Sequence, residues 1–322
     1  MNRVIGKLRN MPVVAAMCCA AGLILITSLY LSYVSWQTEL MYREIALQSE
    51  QMIPKRKPLF KFPAGGRELS GKYRMVALYG VTDSPALGLL GEQPLNESVA
   101  RAKGLAAQYQ PYSREPVYPA FEIIATVAAA DATEDGDYSR ESDPNALRPW
   151  VEVAKRSGVY VLLDLQPGRE DFLSQAKLYE SLLQEPNVGL ALDPEWRLAP
   201  NQVHLEQIGS VGIDEVNATG QWLSRLTTQK KLPQKLLLLH QFRADMIAGR
   251  ERLQMHPNLA TVVQMDGQGD QPGKLDTWNT LINLPPANVA YGWKNFIDED
   301  RPTLSPAETM QRQPQPWYVS YQ

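Results

Sequence analysis

Only two cysteines, Cys18 and Cys19, occur in the 322 residues, and both lie in one apolar N-terminal run. The remainder of the chain therefore forms no disulfide and must be held together by its core alone. Histidine is almost as sparse. His204, His240 and His256 make no H-x-H or H-E-x-x-H pair, which argues against a zinc site and leaves an oxygen-ligated ion as the metal alternative. No serine sits in a nucleophile elbow, so covalent acyl chemistry has no candidate. The stretch "YGVTDSPALGLLGE" after the first apolar strand lacks the glycine spacing of a dinucleotide turn. A net charge of -3, with no long basic or basic-aromatic run, sets nucleic acid aside as a partner. The acidic "DATEDGDYSRESD" lacks EF-hand spacing and reads as a solvated loop.

What is present begins with Arg3, Lys7 and Arg9 followed by an uncharged apolar run over residues 11–36. Such a run is about long enough for a helix to cross ~30 Å of hydrocarbon, and basic residues on its near side favour a cytoplasmic start with the rest of the chain extracytoplasmic. The run exceeds the ~7–15 residues of a signal h-region, so the expectation is an uncleaved signal-anchor at the cell membrane. Secretion after signal cleavage and lipoprotein modification are the alternatives. The domain reading is 1–36 for the basic start and transmembrane anchor, 37–71 for a juxtamembrane helix and Pro/Gly linker, and 72–322 for the folded domain.

In the folded part, short apolar β-rich runs alternate with amphipathic stretches. The runs are "YRMVALYG", "FEIIATVA", "VYVLLDLQ", "VGLALD", "KLLLLHQF", "LATVVQMD", "NVAYGW" and "WYVSYQ". Helices are expected between them, including "NESVARAKGLAAQY" capped by Asn96, "NALRPWVEVAKRSG" stopped by Gly158, and "ADMIAGRERLQM". Continuous apolar strands separated by helices indicate a parallel sheet covered on both faces. Eight runs over about 250 residues match an α/β fold of the (β/α)8, TIM-type barrel class, with a doubly wound open sheet as the runner-up.

In such a barrel the reactive groups stand at the C-terminal strand ends. Those positions hold Tyr79, Asp164, Gln166, Asp193, Glu195, His240, Gln264, Asp266, Trp293, Lys294 and Tyr321, with Trp196 next to the fourth strand end. Asp83, Asp131, Gln241, Arg243 and Gln322 fall nearby. Three i, i+2 pairs (Asp164 with Gln166, Asp193 with Glu195, Gln264 with Asp266) place polar side chains on one strand face. Small Gly189 and Ala191 would lie beneath the acids of "VGLALDPEW" and leave room for a pocket. Two carboxylates on one face repel, which raises at least one pKa and keeps an acid protonated near neutrality. Glycosidic cleavage needs such an acid, and Trp196 supplies a flat face for a sugar ring. The bland account has Asp193 capping the turn at Pro194 and Glu195 pairing with Arg197. A divalent ion held by His240, Asp164, Asp193 and Asp266 is the enzymatic rival; the reading adopted assigns no metal and no cofactor.

The Asp193-x-Glu195 pair resembles the strand-four Asp-x-Glu of (β/α)8 glycoside hydrolases such as family-18 chitinases and barrel-type lysozymes. The resemblance implies Glu195 as general acid and Asp193 as its assistant. The longer Asp-rich signature is missing, since "GLAL" precedes Asp193, and strand seven offers Trp293 and Lys294 in place of a nucleophilic glutamate. The second carboxylate is then Asp164 or Asp266, or the substrate assists itself. The expectation is a glycoside hydrolase-like domain with catalytic Glu195, Asp193, Asp164 and Asp266. Tyr79, Gln166, Trp196, His240, Gln264, Trp293, Lys294 and Tyr321 would contact a cell-envelope or extracellular polysaccharide. The alternative is a non-catalytic barrel that binds glycan or protein with the same mouth.

Overall fold

A computed structural model describes residues 11–52, 60–63 and 65–322. The expected basic start and the middle of the expected linker, residues 53–59, lie outside the described residues. Two compact units are distinguished, Met1–Pro58 and Leu59–Gln322. In the first, one helix, α1, runs over Met11–Met52. Most of its described side chains, Leu23, Leu25, Ile26, Leu29 and Leu31 among them, are exposed. Among the described residues no helix is long and apolar enough to cross a membrane. The expected membrane crossing is thus not carried by the structure, and several side chains of the apolar run, including those of Cys18 and Cys19, lie outside the described residues.

The second unit is a closed barrel of eight parallel strands: β1 Arg74–Gly80, β2 Val117–Ala128, β3 Tyr160–Leu165, β4 Val188–Leu192, β5 Lys235–Gln241, β6 Leu259–Met265, β7 Ala290–Asn295 and β8 Tyr318–Tyr321. Closure is made where β1 pairs with both β2 (Arg74↔Val117 to Gly80↔Ile123) and β8 (Met75↔Tyr318 to Leu78↔Tyr321). Pairing the last run with the first removes both sheet edges, which decides against the open sheet. The outer ring contains α2 Leu95–Tyr109, α3 Pro144–Ser157, α4 Phe172–Leu178, α5 Glu180–Leu183, α6 Ile213–Gln229, α7 Gln271–Asn283 and α8 Pro306–Thr309.

Local signals explain several boundaries. Asp143 accepts from the Asn145 N–H at the start of α3, and Gly158 ends it in the left-handed conformation, φ 68° and ψ 43°. Others differ from expectation. Pro94, not Asn96, occupies the N-cap of α2, because a proline already extended needs no donor there. The expected helix "ADMIAGRERLQM" is instead two 3-10 turns flanking a two-residue strand, Ile247–Ala248, with Gly249 at φ 78° between them. A left-handed glycine in mid-segment ends any helical run.

Strand side chains alternate between two buried layers. Outward residues such as Val76, Ile123, Leu163, Leu190, Leu239 and Val263 meet the helices. Inward residues such as Met75, Ala120, Leu162, Ala191, Leu238 and Val262 fill the barrel. Two residues expected in the linker belong to this inner cluster: Phe62 is 2% and Leu69 0% exposed. The Phe62 ring lies 5.9 Å from Tyr73, 6.0 Å from Tyr118 and 6.3 Å from Tyr160. The segment therefore plugs the N-terminal end of the barrel, with Phe62 and Leu69 turned inward from either side of the turn that contains Pro63, Gly65 and Gly66. Gly189 and Ala191 do face inward under the acids, but the room they leave is taken. The Tyr160 hydroxyl accepts from the Leu236 N–H at 3.0 Å, and a Cβ on Gly189 would meet that hydroxyl at 3.0 Å and the Leu236 carbonyl at 2.6 Å. Beneath the mouth the barrel is a packed core.

The plug yields a stability test. Phe62→Ala removes an aromatic ring from a filled site and is expected to cost about 3–5 kcal/mol, read as a lower urea midpoint at unchanged slope. A true linker residue would leave the midpoint where it was.

Candidate active site

The C-terminal mouth opens on a cavity of about 680 Å³, within the range of small-molecule sites. Of the residues read from the sequence, Tyr79, Gln166, Asp193, Glu195, Trp196, Asp266 and Lys294 line it. Asp164, His240 and Gln264 sit one step deeper, each 0% exposed, beneath the floor. Trp293 and Tyr321 do not reach the cavity. The Trp293 indole N–H donates to Asn295 Oδ1 at 3.0 Å and its ring packs 5.7 Å from Trp278. The Tyr321 hydroxyl lies 2.6 Å from that of Tyr109 on α2. Strand alternation is the reason: with Lys294 and Ser320 inward, their neighbours must face the helices. Gln241 likewise points outward and accepts from Arg250 at 2.8 Å. Asp131 and Arg243 are spent on surface pairs with Arg140 and Asp245, and Asp83 is exposed.

From the cavity floor downward, most of the polar groups form one connected set. His240 Nε2 is 2.9 Å from Glu122 Oε1, and His240 Nδ1 is 2.7 Å from Asp266 Oδ2. Asp266 Oδ1 meets Lys294 Nζ at 2.9 Å. That ammonium lies 3.7 Å above the Tyr79 ring, whose hydroxyl donates to Asp164 Oδ2 at 3.0 Å. Tyr318 donates to Glu122 Oε2 at 2.8 Å; beside this set, Gln264 donates to Ser320 Oγ at 2.5 Å as a separate pair.

Glu122, Tyr318 and Ser320 are the buried polar residues that sequence reasoning missed. A signal existed: Glu122 is a lone acid inside the apolar "FEIIATVA", two residues from Ala120 and Ile124 on the inward face. Phe242 and Phe296 add aromatic wall to the cavity.

Four buried carboxylates (Glu122, Asp164, Asp193, Asp266) thus face two buried bases, His240 and Lys294. Burial pushes the Asp164 carboxyl up to about 6, with Glu122 adding to the rise and His240 and Lys294 opposing it. Burial likewise raises Asp193 well above the carboxylate range. Asp266 goes the other way. Burial works against its charge, but Lys294 and His240 outweigh it and hold the carboxyl low. His240 is depressed by burial, yet Asp266, Asp164 and Glu122 together lift it well above an ordinary imidazole.

Glu195 stands apart from this set. After β4, Asp193 caps a 3-10 turn over Pro194–Trp196 by accepting from the Glu195 N–H at 3.1 Å. The Glu195 carboxyl itself has no hydrogen bond or ion pair among the described residues. Arg197, its partner in the bland account, pairs with Glu215 at 3.0 Å instead. Burial and the nearby charge of Asp266 push Glu195 up to about 7, against Lys294 and His240. The arrangement can deliver a proton near neutrality into a cavity walled by Trp196.

Lys294→Met would leave the Asp266 carboxylate buried with one cationic partner fewer. The expected loss is about 3–5 kcal/mol of folding stability, measured by guanidinium unfolding. Compared with known proteins, the chain matches no family model and no curated sequence.

Proposed function

We propose that the barrel is a glycoside hydrolase domain that cleaves a cell-envelope or extracellular polysaccharide, with Glu195 as general acid. The observation that carries this reading is the unpaired, half-buried Glu195 carboxyl, pushed up to about 7 in a cavity of about 680 Å³. A protonated carboxyl is what a glycosidic oxygen needs as it leaves. Trp196, on the adjacent position of the same turn, offers a ring face for a pyranose. Asp193 orients the turn through the Glu195 N–H.

The developing positive charge at the sugar carbon calls for a second, ionised carboxylate. Asp266 suits that role, since it lines the cavity and its two ion pairs favour its charged form. Asp164, the other candidate read from the sequence, lies beneath the floor.

Glu195 must carry its proton to act, so activity belongs below about 7 and falls as pH rises through that value. Glu195→Gln is expected to lower the rate of reducing-end release from a susceptible polysaccharide by about 10²–10⁴-fold, with the unfolding midpoint little changed. Undiminished release would sink the acid assignment. Retained glycan binding without turnover by the unsubstituted chain would make the barrel a binding module.

Membrane attachment through the N-terminal segment belongs to the same proposal. Its support is the exposed apolar surface of Leu23, Leu25, Ile26, Leu29 and Leu31 on α1, which water solvates poorly. The full chain is expected to stay with alkaline carbonate-washed membranes, and a variant lacking residues 1–36 to be released.

A further inference from the structure

We propose that Glu122, Asp164 and His240 form a binding site for one divalent transition-metal ion beneath the cavity floor, with Glu122 Oε1, Asp164 Oδ1 and His240 Nε2 as ligands. Each of the three residues offers a ligand atom within 4.8 Å of the others, on side chains from β2, β3 and β5 that are all 0% exposed. Their spacing suits a shared ion. Ligands about 2.1 Å from one metal stand about 3.0 Å apart at a right angle and about 3.4 Å apart at the tetrahedral angle. His240 Nε2 is 2.9 Å from Glu122 Oε1 and 3.5 Å from Asp164 Oδ1.

The far oxygens of both carboxylates are held from behind by hydrogen bonds, and the far nitrogen of the imidazole faces a carboxylate in an ion pair. Tyr318 donates to Glu122 Oε2, Tyr79 donates to Asp164 Oδ2, and Asp266 Oδ2 sits 2.7 Å from His240 Nδ1. A carboxylate on the far nitrogen of a ligating imidazole, with hydrogen bonds on the far oxygens of ligating carboxylates, is how metal ligands are oriented and kept basic. The convergent atoms are left facing one another. Asp164 Oδ1 is fully buried and accepts no hydrogen bond. A proton on His240 Nε2 can be donated well to one carboxylate only, and Glu122 Oε1 takes it at 2.9 Å, so the imidazolium leaves Asp164 Oδ1 stranded. A divalent ion binds all three and offsets the excess of buried carboxylates over bases.

One imidazole with two carboxylates selects an ion such as Mn²⁺, Fe²⁺ or Zn²⁺ over Ca²⁺. This revises the sequence expectation in two ways. A histidine pair is not required, and Glu122 enters the ligand set, whereas Asp193 and Asp266 do not. The site does not depend on the glycosidase reading, because its readout needs no substrate.

The test strips the full-length chain with EDTA, adds Zn²⁺ or Co²⁺ in slight excess at pH 8, and removes free ion. The expected result is about one ion per chain by elemental mass spectrometry, a higher unfolding temperature than the stripped chain, and a visible Co²⁺ absorption band. His240→Gln should lose the ion, and His256→Gln, which alters a peripheral histidine, should keep it. Should His240→Gln fail to fold, the unsubstituted chain still decides. Zn²⁺ must then displace the Nε2 proton of His240 in its ¹⁵N imidazole spectrum. Sub-stoichiometric metal, an unshifted His240 signal, or an ion retained by folded His240→Gln would each overturn the assignment.

Discussion

Asp266 bridges two buried bases inside the C-terminal end of the barrel, His240 at 2.7 Å and Lys294 at 2.9 Å. Without that bridge, the interior would hold carboxylates with no fixed counter-charge, and burial would neutralise or expel them. With it, the bases are oriented, and each passes the constraint on. Lys294 stacks on Tyr79, which holds Asp164, and His240 holds Glu122, which is held by Tyr318. Side chains of β1, β2, β3, β5, β7 and β8 thereby meet Asp266, just past the end of β6, in one polar plane. The barrel has a closed backbone ladder for its overall shape and this plane for the registration of its mouth.

The plane also sorts the acids. Asp266, beside two cations, favours its charge, while Asp164 and Asp193, buried with less compensation, favour their protons. Glu195 lies above the plane, near enough to Asp266 for its proton affinity to rise but outside any hydrogen bond. An acid and a carboxylate with opposed preferences thus border the same cavity, which is how environment divides roles between chemically equal groups. Below, the aromatic plug of Phe62, Tyr73, Tyr118 and Tyr160 excludes water from the interior and strengthens every charge interaction above it. The molecule is graded from an apolar floor, through a polar plane, to an open pocket.

Much of this was legible in the chain. The eight apolar runs coincide with the eight strands, and the i, i+2 pairs Asp164/Gln166 and Gln264/Asp266 do point inward, because strand periodicity is a local property. The same periodicity could have ruled out Trp293 and Tyr321, whose neighbours Lys294 and Ser320 took the inward face. Phe62 and Leu69 were hidden by prolines and glycines that signal a turn without saying what the turn covers. Glu122 was hidden by its setting. A single acid within apolar neighbours has no partner in sequence, and its partners His240 and Tyr318 lie 118 and 196 residues away.

The one-dimensional pattern therefore determined the elements: where strands run, which face of each is polar, that no disulfide supports the core, and that Asp193 and Glu195 end the fourth strand. Those features follow from side-chain alternation and composition, which need only near neighbours along the chain. Closure of the sheet, the depth at which each polar group lies, and the pairing of four carboxylates with two bases were decided by tertiary structure alone. Coulomb energy and desolvation depend on distances through space, and those distances exist only once β8 has met β1.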